Sequence, residues 1–187
     1  MDKLNVLGLC GSLRSGSYNR MLLKIAMACA STAGAEVKEA DLRELNLPIY
    51  NYDIEAMGIP EPVEQLKQMI EESDMILIAS PEYNYAVSGV LKNAIDWASR
   101  GKKNDWGGKW AAIFGASTGP MGTVRGQFAL RLILTSVNMN LLPQPQVFVS
   151  LADTAFSADG SLVQKNLEDN LRRLVEKTLD AAAKQKG

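Results

Sequence analysis

Along the 187-residue chain, near-continuous apolar runs alternate with segments whose apolar residues recur every three or four positions. The runs are Leu4 to Cys10, Met75 to Ala79 and Trp110 to Ala116, each bounded by Gly, Ser or Pro. Runs without polar alternation suit strands covered on both faces, as in a parallel sheet. A shorter run, Val147 to Val149, follows the breakers Pro143 and Pro145, and Ala35 to Ala40 suits an edge strand.

Between the runs lie helical spacings. Met21, Leu22, Ile25, Ala26 and Cys29 form one apolar face, closed by Gly34 as a stop signal. Val63, Leu66, Met69 and Ile70 form a second after Pro60 and Pro62. Leu91, Ile95 and Ala98 give a third, Phe128, Leu132 and Thr135 a fourth, and Leu167, Leu171, Leu174 and Val175 a last one that frays into a polar tail, Lys184 to Gly187. Strand–helix alternation with short connections predicts a doubly wound α/β sheet of about five strands, built as a single domain over residues 1–187. No repeat, low-complexity block or linker interrupts it.

Composition narrows the chemistry. Twenty basic residues against twenty-one acidic ones leave a net charge of -1, so no global field draws the chain to nucleic acid or anionic lipid. No stretch approaches the roughly 20 apolar residues of a membrane-spanning helix. The lysine-led apolar start carries Asn5 and reads as a buried first strand rather than a leader, which predicts a cytoplasmic protein. Cys10 and Cys29 form neither a CxxC pair nor a disulfide framework, as expected of buried thiols in a reducing compartment. Histidine is absent, which removes Ser-His-Asp and Cys-His catalysis and histidine-ligated metal sites together. Chemistry here must come from carboxylates, Lys, Tyr or a borrowed cofactor.

In open α/β sheets, ligands bind beyond the carboxyl ends of the strands. The first strand is followed by Gly11-Ser-Leu-Arg-Ser-Gly-Ser-Tyr-Asn19, which offers backbone N–H groups, the hydroxyls of Ser12, Ser15 and Ser17, and Arg14 at a helix N-terminus. A serine N-cap on an ordinary glycine turn would use the same residues; the preceding strand and the arginine favour an anion site. Gly11-xxxx-Gly16-Ser17 lacks the lysine of a P-loop, and GxGxxG is absent, so a terminal monophosphate such as that of FMN fits better than a nucleoside triphosphate or a dinucleotide. After the third strand, Pro81 stops the ladder and frees the backbone of Glu82, Tyr83 and Asn84 to face a planar heterocycle, with Tyr83 or Tyr85 as an aromatic wall. After the fourth, Gly115-Ala-Ser-Thr-Gly-Pro-Met-Gly122 allows close backbone approach beside the hydroxyls of Ser117 and Thr118. Taken singly, the last two loops would serve equally well as sheet covers or glycine turns.

Together, GSLRSGSYN, SPEYNYAVSGVLKNAIDW and GASTGPMGTVRGQFALR resemble the signature blocks of the NADPH-dependent FMN reductase family, which includes enzymes described as quinone, azo-dye and chromate reductases. The blocks occur in the right order and span almost the whole chain. The resemblance implies a flavodoxin-like five-stranded parallel sheet of order 2-1-3-4-5, FMN in each subunit, NADPH or NADH as donor, and a homodimer or homotetramer. It places Ser12, Arg14, Ser17 and Asn19 on the FMN phosphate, Pro81, Glu82, Tyr83 and Asn84 along the isoalloxazine ring, and Ser117 with Gly119 on the third side. One segment departs from the pattern: where PEYNGSIPG is usual, this chain has Tyr85, Ala86 and Ser88, which points to a freer loop with an aromatic lid over the acceptor pocket.

These features predict an NAD(P)H oxidoreductase in which FMN carries the redox chemistry to small acceptors such as quinones, flavins, azo compounds or chromate. The alternatives are an FMN electron carrier serving a protein partner and a phosphate-binding module without redox activity. Asp96 and Lys92 read as an ion pair, and Tyr50 and Tyr52 as loop anchors or acceptor-site residues. Arg125 is expected at a cofactor phosphate or a neighbouring subunit, and Trp97 as an exposed subunit contact.

Overall fold

The computed structural model describes residues 3–186; Met1, Asp2 and Gly187 lie outside them. Each apolar run forms a strand: β1 (Asn5–Cys10), β3 (Met75–Ala79) and β6 (Trp110–Ala116), with the more polar β2 (Glu36–Ala40) at the edge. All pair in parallel, in the order β2-β1-β3-β6. The fifth position is split. β7 (Asn140–Leu141) pairs with the start of β6 and β8 (Val147–Val149) with its end, because the segment 142–146 between them carries Pro143 and Pro145. This is the doubly wound order of a flavodoxin-like fold.

Alternation along the strands sends successive side chains to opposite layers. Met75, Leu77 and Ala79 enter one core beneath α1 (Tyr18–Thr32) and α8 (Lys165–Lys186); Ile76 and Ile78 enter the other beneath α4 (Glu61–Glu71), α5 (Gly89–Ala98) and α6 (Val124–Ser136). Gly8 breaks the apolar series of β1 for a reason of space, since a Cβ there would stand 2.9 Å from Met27 Sδ on α1. Three short helices complete the chain: α2 (Leu42–Leu45), α3 (Tyr52–Met57) and α7 (Ala152–Ala155). Among the described residues no helix is long and apolar enough to cross a membrane.

Three expectations change. The buried face of α6 is Gly126, Gln127, Leu130 and Leu134, whereas Phe128 and Leu132 face outward, 53% and 75% exposed. Spacing alone could not tell which of two apolar stripes meets the sheet. Through Lys186 the polar tail stays helical, Gly187 lying outside the described residues: Gln185 donates to the Gly108 carbonyl (2.8 Å) and Lys186 to Asp74 (2.8 Å). Trp97 is fully buried; its Nε1 donates to the Pro48 carbonyl at 2.7 Å and Tyr50 meets it edge-on, so it anchors the 48–50 segment.

Candidate functional site

The carboxyl ends of β1, β3 and β6 lie side by side, and the loops leaving them form the site. At the first, the Gly11 N–H donates to the Ala79 carbonyl (2.9 Å), tying β1 to β3 as the chain turns away. From Ser12 through Asn19 the backbone N–H groups have no acceptor among the described residues. Such a run at a helix start costs stability unless water or a ligand meets it. Ser17 caps α1, its hydroxyl accepting the Arg20 N–H at 3.3 Å. Ser12 is 3% exposed, and its hydroxyl makes no bond among the described residues. Arg14 is exposed, donates to the Gly16 carbonyl (3.2 Å) and lies over the Tyr18 ring, 5.9 Å from its centroid, while Tyr18 stacks on Phe156.

Asn19 sits differently from its three companions. Its amide donates to the Ala116 carbonyl and accepts the Ala116 N–H, both at 2.9 Å. The side chain is thus committed to β6, and what Asn19 offers the loop is its backbone N–H. Arg20 adds a second brace: it bonds both oxygens of Asp41 (2.8 and 2.9 Å) and Glu39 (2.8 Å) across to the end of β2. The guanidinium holds the Asp41 carboxyl below its usual pKa, and Asp41 in turn raises that of Arg20. Burial pushes the Cys10 thiol up, away from thiolate chemistry.

The second loop is a hairpin. β4 (Glu82–Tyr83) and β5 (Ala86–Val87) pair antiparallel through a two-residue turn in which both Asn84 (φ +51°) and Tyr85 (φ +67°) are left-handed. That geometry belongs to a turn that favours Asn-Gly, so a tyrosine stands where glycine costs least. The freer loop inferred from Tyr85, Ala86 and Ser88 is therefore corrected: the segment is paired, and the Tyr85 ring lies on the Arg125 guanidinium, 3.8 Å from centroid to Cζ. Arg125 bonds Glu82 through Nε (2.8 Å) and Nη2 (2.7 Å), and the other Glu82 oxygen accepts the Gly126 N–H at 2.9 Å. Glu82 thereby fastens the hairpin to the first turn of α6, whose own cap residue Thr123 makes no capping bond, its hydroxyl accepting instead from the Gln127 amide at 2.8 Å.

The third loop is pinned as well. The Ser117 N–H donates to the Val149 carbonyl, and the Gly119 carbonyl receives the N–H groups of Gly122 and Leu151. Ser117 Oγ accepts the Gly119 N–H at 3.2 Å. At the root of the loop, a Cβ on Gly115 would stand 2.2 Å from the Ser80 carbonyl oxygen, so only glycine lets β6 pass the second loop here.

The second and third loops enclose a cleft of about 580 Å³ lined by Glu82, Asn84, Tyr85, Ser117, the turn 119–122 and Arg125. A second cleft of about 430 Å³ joins Gly11, Leu13 and Arg14 to Tyr83 and the start of α5. A smaller one, about 240 Å³, lies at the opposite end of the strands near Asn5 and Lys38, away from every loop named here. The donor set of the first loop fits a terminal phosphate: unpaired N–H groups, a free serine hydroxyl, an arginine and a helix N-terminus. The clefts beside the hairpin give a flat ring system room. Glu82, Tyr83, Asn84 and Ser117 stand on these walls, whereas Pro81 lines neither cleft and is buried beside Gly11.

Lys92 and Asp96 do pair (2.7 Å), and Tyr50 is a loop anchor, its hydroxyl on Glu55 and its ring beneath Arg100. The Glu82–Arg125–Tyr85 cluster escaped the sequence reading. Asn84 was its one local signal, and Tyr85 in place of glycine hid the turn.

A family model described as NADPH-dependent FMN reductase matches residues 4–154. The NAD(P)H-dependent FMN reductase PA1204 of Pseudomonas aeruginosa is 44% identical over 96% of this chain and 94% of its own length. An NAD(P)H:quinone oxidoreductase of Solanum tuberosum is 41% identical over 98% and 95%. Among solved structures, the flavoenzyme NAD(P)H:(acceptor) oxidoreductase FerB of Paracoccus denitrificans superposes with a TM-score of 0.85 at 35% identity, covering 97% of this chain and 98% of that one.

Proposed function

The chain belongs to the NADPH-dependent FMN reductase family and is an FMN-dependent NAD(P)H oxidoreductase, and we propose that its three converging loops hold FMN beside a cleft where small quinone-type acceptors are reduced. The observation that carries this reading is the unpaired run of N–H groups from Ser12 to Asn19 at the start of α1, bordering the cleft that Leu13 and Arg14 share with Tyr83.

FMN, once bound, would supply two-electron redox chemistry between a nicotinamide and a second substrate. Ser12, Arg14, Ser17 and the N–H groups through Asn19 hold the phosphate, and the Asn19 amide positions that loop against β6. The backbone from Pro81 to Asn84 and from Ser117 to Gly119 would line the ring; the Ser117 and Gly119 N–H groups are already bonded, and that of Thr118, with no acceptor among the described residues, would favour negative charge there. No side chain need donate or take a proton by histidine chemistry, and the chain contains no histidine to do so. Donor and acceptor use the same cleft in turn, which gives ping-pong kinetics. Quinones lead the acceptor list, with flavins, azo compounds and chromate as further candidates. An electron carrier serving a protein partner is disfavoured, because such carriers rely on a charged docking face and the net charge here is -1.

We further assign a homodimer or homotetramer. Ile49, Tyr52 and Met57 are 78%, 71% and 83% exposed within one short segment, an apolar patch that a second copy would cover. The free Cys10 and Cys29 suit work in a reducing cytoplasm. Steady-state oxidation of NADPH and NADH against a panel of quinones, free flavins, azo compounds and chromate tests the reading. Parallel double-reciprocal lines with a quinone are expected. Strict dependence on an added protein acceptor would overturn it.

A further inference from the structure

Arg125 is held more tightly than a partly exposed arginine requires. One oxygen of Glu82 takes both its Nε and Nη2 hydrogens, and the Tyr85 ring covers its face at 3.8 Å. The guanidinium still has unused donors, since it carries five N–H groups in all. Its side chain is 43% exposed, whereas that of Glu82, which also lines the cleft, is 5% exposed and bonded to the Gly126 N–H at the start of α6. Arg125 is the one cationic side chain lining the 580 Å³ cleft among the described residues. The pair is formally neutral, but the Gly126 N–H and the positive end of α6 already offset part of the Glu82 charge. What remains toward the cleft is an oriented positive fork. Tyr85 holds it there from a left-handed position that a tyrosine seldom adopts, a local cost that its cation–π contact offsets.

We propose that Arg125, framed by Glu82 and Tyr85, is a specificity-determining residue that selects planar anionic acceptors, quinones carrying an ionised hydroxyl or carboxylate, over neutral quinones of the same shape. This rests on the cleft being the acceptor site of the FMN-dependent reaction. A guanidinium fork meets the oxygens of an enolate or carboxylate at two points, which a point charge does not. The overall reaction balances: quinone, NAD(P)H and a proton give hydroquinone and NAD(P)+; a carboxylate substituent keeps its charge, whereas an ionised hydroxyl becomes an ordinary phenol on reduction and takes up one further proton from solvent.

The test compares 2-hydroxy-1,4-naphthoquinone, ionised at neutral pH, with its methyl ether 2-methoxy-1,4-naphthoquinone, which cannot ionise. Binding of each to the oxidised protein as purified, without nicotinamide, is read from quenching of flavin and tryptophan fluorescence. The wild type is expected to bind the anion tighter by about tenfold, the scale of one charged hydrogen bond. The double variant Arg125→Met/Glu82→Gln removes both charges together and leaves an amide oxygen for the Gly126 N–H; it should abolish the preference, and Arg125→Lys should keep only part of it. The kcat/KM ratio for the two quinones should follow the binding ratio. Equal binding by the wild type to within about twofold, or a preference retained in the double variant, overturns the proposal. Should the double variant fail to fold, the wild-type ratio and Arg125→Lys still decide. Failure to reduce either quinone with NAD(P)H would count against the acceptor-site reading alone, because the binding ratio is measured without turnover.

Discussion

Arg14 and Asn19 stand five residues apart in one loop and do opposite work. Arg14 is exposed and bonded only to the nearby Gly16 carbonyl, so its loss leaves the fold intact. Arg14→Ala should weaken FMN binding by about 1.5–3 kcal/mol, measured by titrating apo-protein with FMN, with an unchanged urea midpoint. Asn19 is 5% exposed and closes two bonds to Ala116 across 97 residues of sequence. Asn19→Ala would strand a buried N–H and a buried carbonyl, so the urea midpoint should fall by an amount worth about 2–4 kcal/mol. An unchanged midpoint would place Asn19 back on the ligand alone. The local composition of Ser12 to Asn19 points to an anion loop. It could not separate these roles, because the partner of Asn19 lies on β6 and no local pattern points to it. Trp97 was misjudged for the same reason: the carbonyl that receives its indole belongs to Pro48.

At the scale of elements, the site depends on how β1, β3 and β6 are braced at their carboxyl ends. Gly115→Ala would push a Cβ against the Ser80 carbonyl and Thr123, neither of them the end of a flexible side chain. Loss of FMN retention together with a lower thermal midpoint is the expected outcome; a variant with wild-type flavin content would contradict the close approach. The Arg20 brace adds a pH dependence. The folded Asp41 carboxyl titrates below its unfolded value, so its stabilisation is complete above the ordinary carboxylate range and disappears as pH falls below about 4. Asp41→Asn should flatten the acid limb of a stability–pH curve from urea unfolding, and an identical limb would remove Asp41 from the account. Elements with strong periodicity, such as α4, α8 and the three apolar strands, were legible in the sequence. The β4–β5 hairpin was not, since Tyr85 masks the turn, and α6 carries two apolar stripes of which only the Leu130–Leu134 stripe meets the sheet.

For the whole molecule, layering follows from the run pattern, strand order was implied by the family resemblance, and the split fifth strand follows from its prolines. Assembly is less legible in sequence, because exposed apolar surface shows itself only once burial is known. The exposed Ile49, Tyr52 and Met57 predict at least a dimer, and a monomer mass by sedimentation at micromolar concentration would contradict it. We propose that one chain binds FMN at the β1 loop and uses it to pass electrons from a nicotinamide to a small acceptor. The most direct measurement is an anaerobic titration of the purified protein followed in the visible spectrum. One equivalent of NADPH or NADH per bound FMN should bleach the flavin, and one equivalent of quinone should restore it with no other protein present. A chain that binds no flavin, or a flavin that neither nicotinamide bleaches, would contradict the account.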